Sequence, residues 1–261
     1  MRGAALPSQY SVQIMSNTGY QRLRRALLPL CVALSLPAAE AALTINATRV
    51  IHTSDARSSS VVIANPTNRP FAVQTWVNTQ TDDTLTAVPL VPTPVLFRLA
   101  PGKDQLVQIN RLPNDLPQDR ESLFFFNVQE IPQQEASGQN QLNIAMRTRI
   151  KLFYRPSQLK GLPQDNVKNL NWFLEQRDDG LHLVVDNPTP FHFTFDQLEV
   201  NGAGQSEKPS TMAMALPFAQ QSYRLTQVRK LQGLQVTFNT LNDYGASTAV
   251  MQQPLSLRPA R

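Results

Sequence analysis

Hydrophobic residues along this chain recur in short period-2 runs separated by turn signals, a pattern of strands and not of helices. The first half predicts strands over Leu43–Val50, Ser59–Ala64, Phe71–Asn78, Leu96–Leu99, Gln105–Ile109 and Ser122–Ile131. Asn65-Pro66 ends the second of these, and Pro101-Gly102 supplies a turn between the fourth and fifth. Within Phe71–Asn78, Val73, Thr75 and Val77 alternate against Gln74, Trp76 and Asn78. Phe124, Phe125 and Phe126 suit a central strand of a sandwich, and polar Pro132–Gln141, with Gly138, reads as a loop. Gln141–Tyr154 then reads as one long strand, in which Leu142, Ile144 and Met146 alternate with Asn143, Ala145 and Arg147.

That strand ends unusually. Arg147, Arg149, Lys151 and Arg155 fall within nine residues. An apolar row at one end and cations at the other suit a closed core poorly. They suit pairing with a strand of another chain whose carboxylate the cations would hold. Strict alternation sets Lys151 on the opposite face from Leu142, Ile144 and Met146. Either the strand twists or bulges between them, or its two faces serve different partners.

The segment Pro156–Pro163, with Gly161, reads as a linker, after which the rhythm restarts. Asn171–Glu175, Leu181–Val185, Phe191–Gln197, Gln221–Thr226, Leu234–Asn239 and Ala249–Leu255 are predicted strands. Asp178-Asp179-Gly180 predicts a hairpin turn. Asp186-Asn187-Pro188-Thr189-Pro190 is excluded from a central strand by its prolines. The fold class that follows is all-β, with two immunoglobulin-like, Greek-key sandwiches joined by a short elbow.

The N-terminus changes how the charge is read. Arg22, Arg24 and Arg25 precede the apolar run Ala26–Leu36, and Ala39-Glu40-Ala41 fits small-x-small cleavage. This predicts a signal peptide over residues 1–41, with Met15 an alternative start to Met1. A lipoprotein signal fits less well, because Cys31 follows Pro29-Leu30 inside the apolar run. The expected domains are then 42–158 and 159–261. Residues 1–41 hold four of the 24 basic and one of the 19 acidic side chains, so the other 220 residues carry 20 and 18. The whole-chain pI of about 9.6 mostly reports the signal, and nucleic-acid binding loses its support. Cys31 is the only cysteine, so the exported part is expected to rest on its own core without disulfides.

Enzymatic motifs are missing: no G-x-S-x-G elbow, H-E-x-x-H or P-loop occurs. His52, His182 and His192 lack metal-ligand spacing, and Asp82-Asp83 and Asp178-Asp179 are turn-like pairs. No enzyme activity, cofactor or metal is expected.

The segments LPQDRESLFFFN (Leu116–Asn127), Glu130-Ile131-Pro132 and IKLFYRP (Ile150–Pro156) resemble the PapD-like periplasmic chaperones of the chaperone–usher pathway. NPTPF (Asn187–Phe191) and NDYG (Asn242–Gly245) extend the likeness over most of the exported chain. The resemblance implies a boomerang of two immunoglobulin-like domains at an angle, located in the periplasm, with pilus (fimbrial) subunits and an outer-membrane usher as partners. It implies that the chaperone lends a strand to an incomplete subunit sandwich, satisfying its exposed pockets and unpaired backbone. The donor-strand residues implied are Leu142, Ile144 and Met146. Arg49 and Lys151 are implied as the anchor for the subunit's C-terminal carboxylate, which needs charge-assisted donors to be buried. Glu121, Arg155 and Asp243 are implied as an interdomain charged triad. As exposed ion pairs these would contribute only about 0–1 kcal/mol each, so their expected use is to fix the angle between domains. Thr93-Pro94 falls where the family often has a cis bond. The three-residue apolar row and short loop resemble the short-loop, pilus-building branch. Self-association of the free form through the apolar row is an expected consequence.

The rival is a structural pilus subunit or a secreted adhesive, carbohydrate-binding sandwich. A subunit should carry a polar–apolar N-terminal extension, which Leu43–Val50 poorly provides. A carbohydrate binder needs exposed aromatic platforms, and Trp76 and Trp172 both fall in predicted core strands.

Overall fold

The structure, a computed structural model, describes residues 43–83, 85–131, 145–211 and 213–258. Its first nine strands are β1 (Thr44–Ile45), β2 (Arg49–Thr53), β3 (Ser58–Ala64), β4 (Phe71–Asn78), β5 (Leu90–Thr93), β6 (Leu96–Leu99), β7 (Asp104–Arg111), β8 (Ser122–Ile131) and β9 (Arg147–Arg155). They form two sheets, ordered β1-β3-β7-β5 and β2-β9-β8-β4-β6. The inward rows of both sheets, among them Ile63, Val73, Val107, Phe126 and Leu152, close one core. A helical turn at Pro163–Asn166 follows. The remaining strands are β10 (Asn171–Arg177), β11 (Gly180–Asn187), β12 (Phe195–Gly202), β13 (Gln205–Glu207), β14 (Ala219–Leu225), β15 (Gln235–Thr240), β16 (Met251–Pro254) and β17 (Leu257–Arg258). Their sheets run β14-β11-β10-β17 and β13-β12-β15-β16. The second core is built around Trp172, whose ring meets Phe195 and Phe238 at centroid distances of 5.2 and 5.0 Å.

Several expectations on strands are corrected. Leu43–Val50 is not one strand. Asn46 ends β1 by a side-chain bond from the Val62 amide (3.0 Å), and the chain crosses to the other sheet before β2 begins. β5 and β6 likewise lie in opposite sheets on either side of Pro94, as do β16 and β17 about Leu255-Ser256, and β5 and β17 have no counterpart among the predicted strands. A single hydrophobic run cannot report such a crossing, because both halves stay extended and half-buried. The Thr93-Pro94 bond is cis. The strand predicted at Phe191–Gln197 starts at Phe195 and runs on to Gly202. Asp186 and Asn187 do belong to central β11, because their own amides are free to pair and only Pro188 stops the ladder. Trp76 lies in a central strand but points away from the core, beneath Arg147.

Each sandwich uses the same Asn-Pro-Thr device to turn its chain. Asn65 Oδ1 accepts the Thr67 amide and hydroxyl, while Nδ2 donates to the carbonyls of Arg69, Leu99 and Ala100. Asn187 Oδ1 accepts the Thr189 amide and hydroxyl, and its Nδ2 donates to the Phe191 and Leu216 carbonyls at 2.7 and 2.8 Å. Both asparagines are buried. A proline cannot continue the ladder, and the buried carbonyls beyond it still need donors. Asn187→Ala removes four such bonds at once. Urea unfolding should show a loss of about 2–4 kcal/mol, against less than about 1 kcal/mol for an exposed asparagine such as Asn68→Ala.

Candidate functional site

The parallel pairing of β2 with β9 sets Arg49 opposite Lys151 and Thr53 opposite Arg155. Along β9, Ile150, Leu152 and Tyr154 enter the first core, so Arg149, Lys151, Phe153 and Arg155 face the other way. The β8–β9 ladder runs from Arg147 to Tyr154 without a register shift. No bulge therefore intervenes there, and Met146 has the phase of the core row, opposite to Lys151. That outward face meets the second sandwich. Phe153 packs on His192 with ring centroids 5.4 Å apart, and Lys151 Nζ donates to Thr194 Oγ1 at 3.0 Å. Residues 191–195 make this possible by alternation: Phe191, Phe193 and Phe195 are core, and His192 and Thr194 point back toward β9. The Phe-x-Phe-x-Phe spacing was a usable signal for both residues, which sequence reasoning passed over.

The structure brings Glu121, Arg155 and Asp243 together. Arg155 donates twice to Asp243 at 2.7 Å and through Nε to Glu121 at 2.7 Å. Glu121 also accepts the His192 backbone amide at 2.8 Å. The expectation of exposed ion pairs is corrected. Side-chain exposure is 12% for Arg155, 2% for Glu121 and 25% for Asp243. Burial acts to lower the Arg155 pKa, but the bonds and charges of Asp243 and Glu121 outweigh it and hold the guanidinium above its usual value. In this setting the fork geometry of arginine matters, because each of its three nitrogens meets a carboxylate oxygen.

Arg49 and Lys151 differ from Arg155 in one respect. Neither forms a salt bridge among the described residues. Arg49 Nη1 reaches only the Leu241 carbonyl at 3.3 Å, and its buried Nε has no partner. Burial lowers the Arg49 pKa against the opposing pull of Asp243 and Glu121. Burial, and then the neighbouring Arg49 charge, bring Lys151 down to about 8. Two half-buried cations on adjacent strands thus sit with spare donors and no anion, an arrangement that a carboxylate would complete.

The NDYG segment holds the far side of this site. Asn242 Oδ1 accepts the Tyr244 and Ala246 amides at 3.0 Å, which closes the turn and aims Asp243 at Arg155. Gly245 has φ +80°, and a Cβ there would meet Thr48 Oγ1 at 2.1 Å. Glycine is required on both counts, since the turn presses against the crossover that leads into β2.

The β9 edge is open where the apolar row approaches it. β2 covers only Lys151–Arg155, and β1 lies in the opposite sheet. Residues 147–150 therefore have no strand on that side among the described residues. Met146 is 53% exposed, and its carbonyl accepts the Glu130 amide at 3.0 Å. Leu142 and Ile144 lie outside the described residues.

A model of pili and flagellar-assembly chaperones, the PapD N-terminal domain, matches residues 42–160, and the PapD C-terminal domain of pili assembly chaperones matches 165–251. The chain belongs to the PapD-like pilus-assembly chaperones. This is a family of assembly chaperones and not of enzymes. The probable fimbrial chaperone YadV of Escherichia coli K12 is 34% identical over 226 residues, covering 83% of this chain and 91% of that protein. The chaperone protein PapD of E. coli is 35% identical over 191 residues, covering 72% and 75%. The crystal structure of YadV aligns at a TM-score of 0.72 with 33% identity, over 82% of this chain and all of that one. A Salmonella enterica structure of the SafA pilin in complex with the SafB chaperone aligns at 0.70 with 26% identity, over 84% and 99%. Membership of this family replaces the pilus-subunit and carbohydrate-binder alternatives.

Within this chaperone the buried triad carries a clear cost on truncation. Arg155→Ala leaves Glu121 and Asp243 without their cation, and breaking a buried pair on one side costs about 3–5 kcal/mol. Chemical denaturation should show that loss, and the interface amides of His192 and Gly245 should lose hydrogen-exchange protection with it.

Proposed function

We propose that this chain is a periplasmic chaperone that stabilises pilus subunits by donor-strand complementation and passes them to an outer-membrane usher. Residues 1–41 serve as the export signal, and 42–158 and 159–261 are the two chaperone domains. The segment through Leu142, Ile144 and Met146 is lent to the subunit. Arg49 and Lys151 hold the subunit's C-terminal carboxylate. The Glu121–Arg155–Asp243 triad fixes how the two domains meet. The observation that carries this assignment is the pair of half-buried cations lacking an anion, at the point where the β9 edge becomes unpaired. A subunit strand laid along residues 146–150 would end its chain beside Lys151. The pairing satisfies backbone groups on both partners, and each Leu, Ile or Met that becomes buried adds roughly 1.5–3 kcal/mol before entropy losses. The exposure of Met146 and the SafA–SafB complex of a relative support the same assignment. In the free chaperone the open edge is expected to pair with a second copy.

Arg49→Ala and Lys151→Ala should not lower the melting temperature and should weaken subunit binding. A charged hydrogen bond contributes about 1.5–3 kcal/mol, or roughly 10- to 150-fold in Kd. Calorimetry against a purified subunit checks this, and wild-type affinity in either variant rejects the anchor. The wild-type affinity should also depend on pH in one direction. A bound carboxylate restores the Lys151 charge, so binding takes up a proton once the free lysine has begun to lose it. Affinity should be flat below pH 8 and fall above it, by at most about tenfold per pH unit. Folding of the free protein responds to Lys151 in the opposite sense. The unfolded lysine keeps its proton to about 10.5, so the penalty of burying the charge is present below pH 8 and fades as pH rises to 10.5. Titrations of wild type and Lys151→Met between pH 6.5 and 9.5 separate the effect, which should vanish in the variant.

A further inference from the structure

The open stretch of β9 ought to fray, because an edge without a neighbour loses half of its ladder. The outward face of the sheet supplies a substitute. Arg147 lies opposite Gln129 in register, yet its guanidinium leans forward, over β8, to the level of Arg149. Nε and Nη2 donate to Asn127 Oδ1 at 3.0 and 2.6 Å, Nη1 donates to Asp82 at 3.1 Å, and the plane sits 4.9 Å from the Trp76 ring centroid on β4. Asn78 Nδ2 donates to Asp82 at 2.6 Å, and Asn127 Nδ2 donates to Asn78 Oδ1 at 3.0 Å, which closes a ring of polar side chains. One turn of the pleat further on, Arg149 lies 3.8 Å over Phe125 and donates to the Thr79 carbonyl at 2.6 Å. Two arginines thus tie the first residues of the open edge across β8 to the end of β4 and the turn after it.

Asp82 is built for this contact. It has φ +61°, a left-handed conformation that Asp and Asn tolerate better than most residues. Its carboxyl is held down to about 2, first by Arg147 and then by Asn78, so the pair keeps its charges across ordinary pH. Asn127 and Asn78 are buried, and neither has slack to follow a frayed strand.

We propose that Arg147 and Arg149 are positioning residues that hold the unpaired β9 edge extended and in phase, so that a partner strand meets a preformed template. This rests on the strand-lending function above. A preordered edge lowers the entropy lost on pairing and should speed association. The test uses the exported chain as Arg147→Ala, Arg149→Ala and Asp82→Asn, the last keeping the left-handed preference while removing the charge. Hydrogen exchange of the free protein is read first. Amides of Gln129, Glu130 and residues 147–150 should exchange about 10-fold or more faster in Arg147→Ala, with Leu152 and Tyr154 unchanged and the melting temperature little affected. Stopped-flow association with a purified pilus subunit is read second. The association rate should fall about 5- to 20-fold with the dissociation rate little changed, and Arg147→Lys should recover only part of it. Unchanged edge exchange overturns the proposal, as does faster exchange with a wild-type association rate. If wild type itself binds no subunit, the strand-lending function has failed instead, while the exchange result still decides whether the arginines hold the edge.

Discussion

One register underlies this molecule. β2 joins β9 in parallel beginning at Arg49 opposite Lys151, and goes no further toward the start of β9. That single choice has two consequences. It places two cations side by side on the face turned to the second sandwich, and it leaves the preceding residues of β9 without a neighbour. A partner that supplies both a strand and a chain end meets both needs at once. Had β1 and β2 been one continuous strand in this sheet, the edge would have been covered and the cations would have flanked nothing. The crossover at residues 46–48 is therefore what leaves this edge open. Gly245, pressed against Thr48, holds it from the other side.

The charges on this face divide by what surrounds them. Arg155 is buried and matched by Glu121 and Asp243, so its charge is spent inside the molecule. Lys151 lies four residues from Arg155 along β9, with Arg49 opposite it, and neither is matched. The triad binds the sandwiches together and, through Asp243, orders the turn whose Leu241 carbonyl meets Arg49. Loss of Arg155 acts on folding, whereas loss of Lys151 relieves a like-charge neighbour and, under the proposed function, removes a donor to the subunit carboxylate. The two kinds of cation look alike in a sequence and have opposite energetics in the folded chain.

Legibility in the sequence followed the physics of each feature. Period-2 alternation identified most strands of both sandwiches, because side-chain direction in a strand is a local property. The repeated Asn-Pro-Thr was visible as a stop signal, but its deeper use was not, since the carbonyls that Asn187 serves come from Phe191 and from distant Leu216. The strand switch in residues 46–48 escaped notice because the backbone stays extended through it, and β5, ahead of Pro94, has no counterpart among the predicted strands. The burial of the triad was also misjudged. Exposure depends on how closely a second domain approaches, and no window of residues contains that distance.

What the sequence determined by itself is the alternation that makes this chain all-β, the density of cations along β9, and the family motifs IKLFYRP and NDYG. Short-range rules suffice for these, since they need only neighbours along the chain. What the tertiary structure alone decided is which cations are neutralised and which remain open, which half of β9 lacks a neighbour, and which residues of the second sandwich face it. Those outcomes depend on groups 88 and 192 positions apart, as in Arg155 with Asp243 and Arg49 with Leu241. Coulomb energy and desolvation are set by distance in space, and only the folded chain supplies that distance.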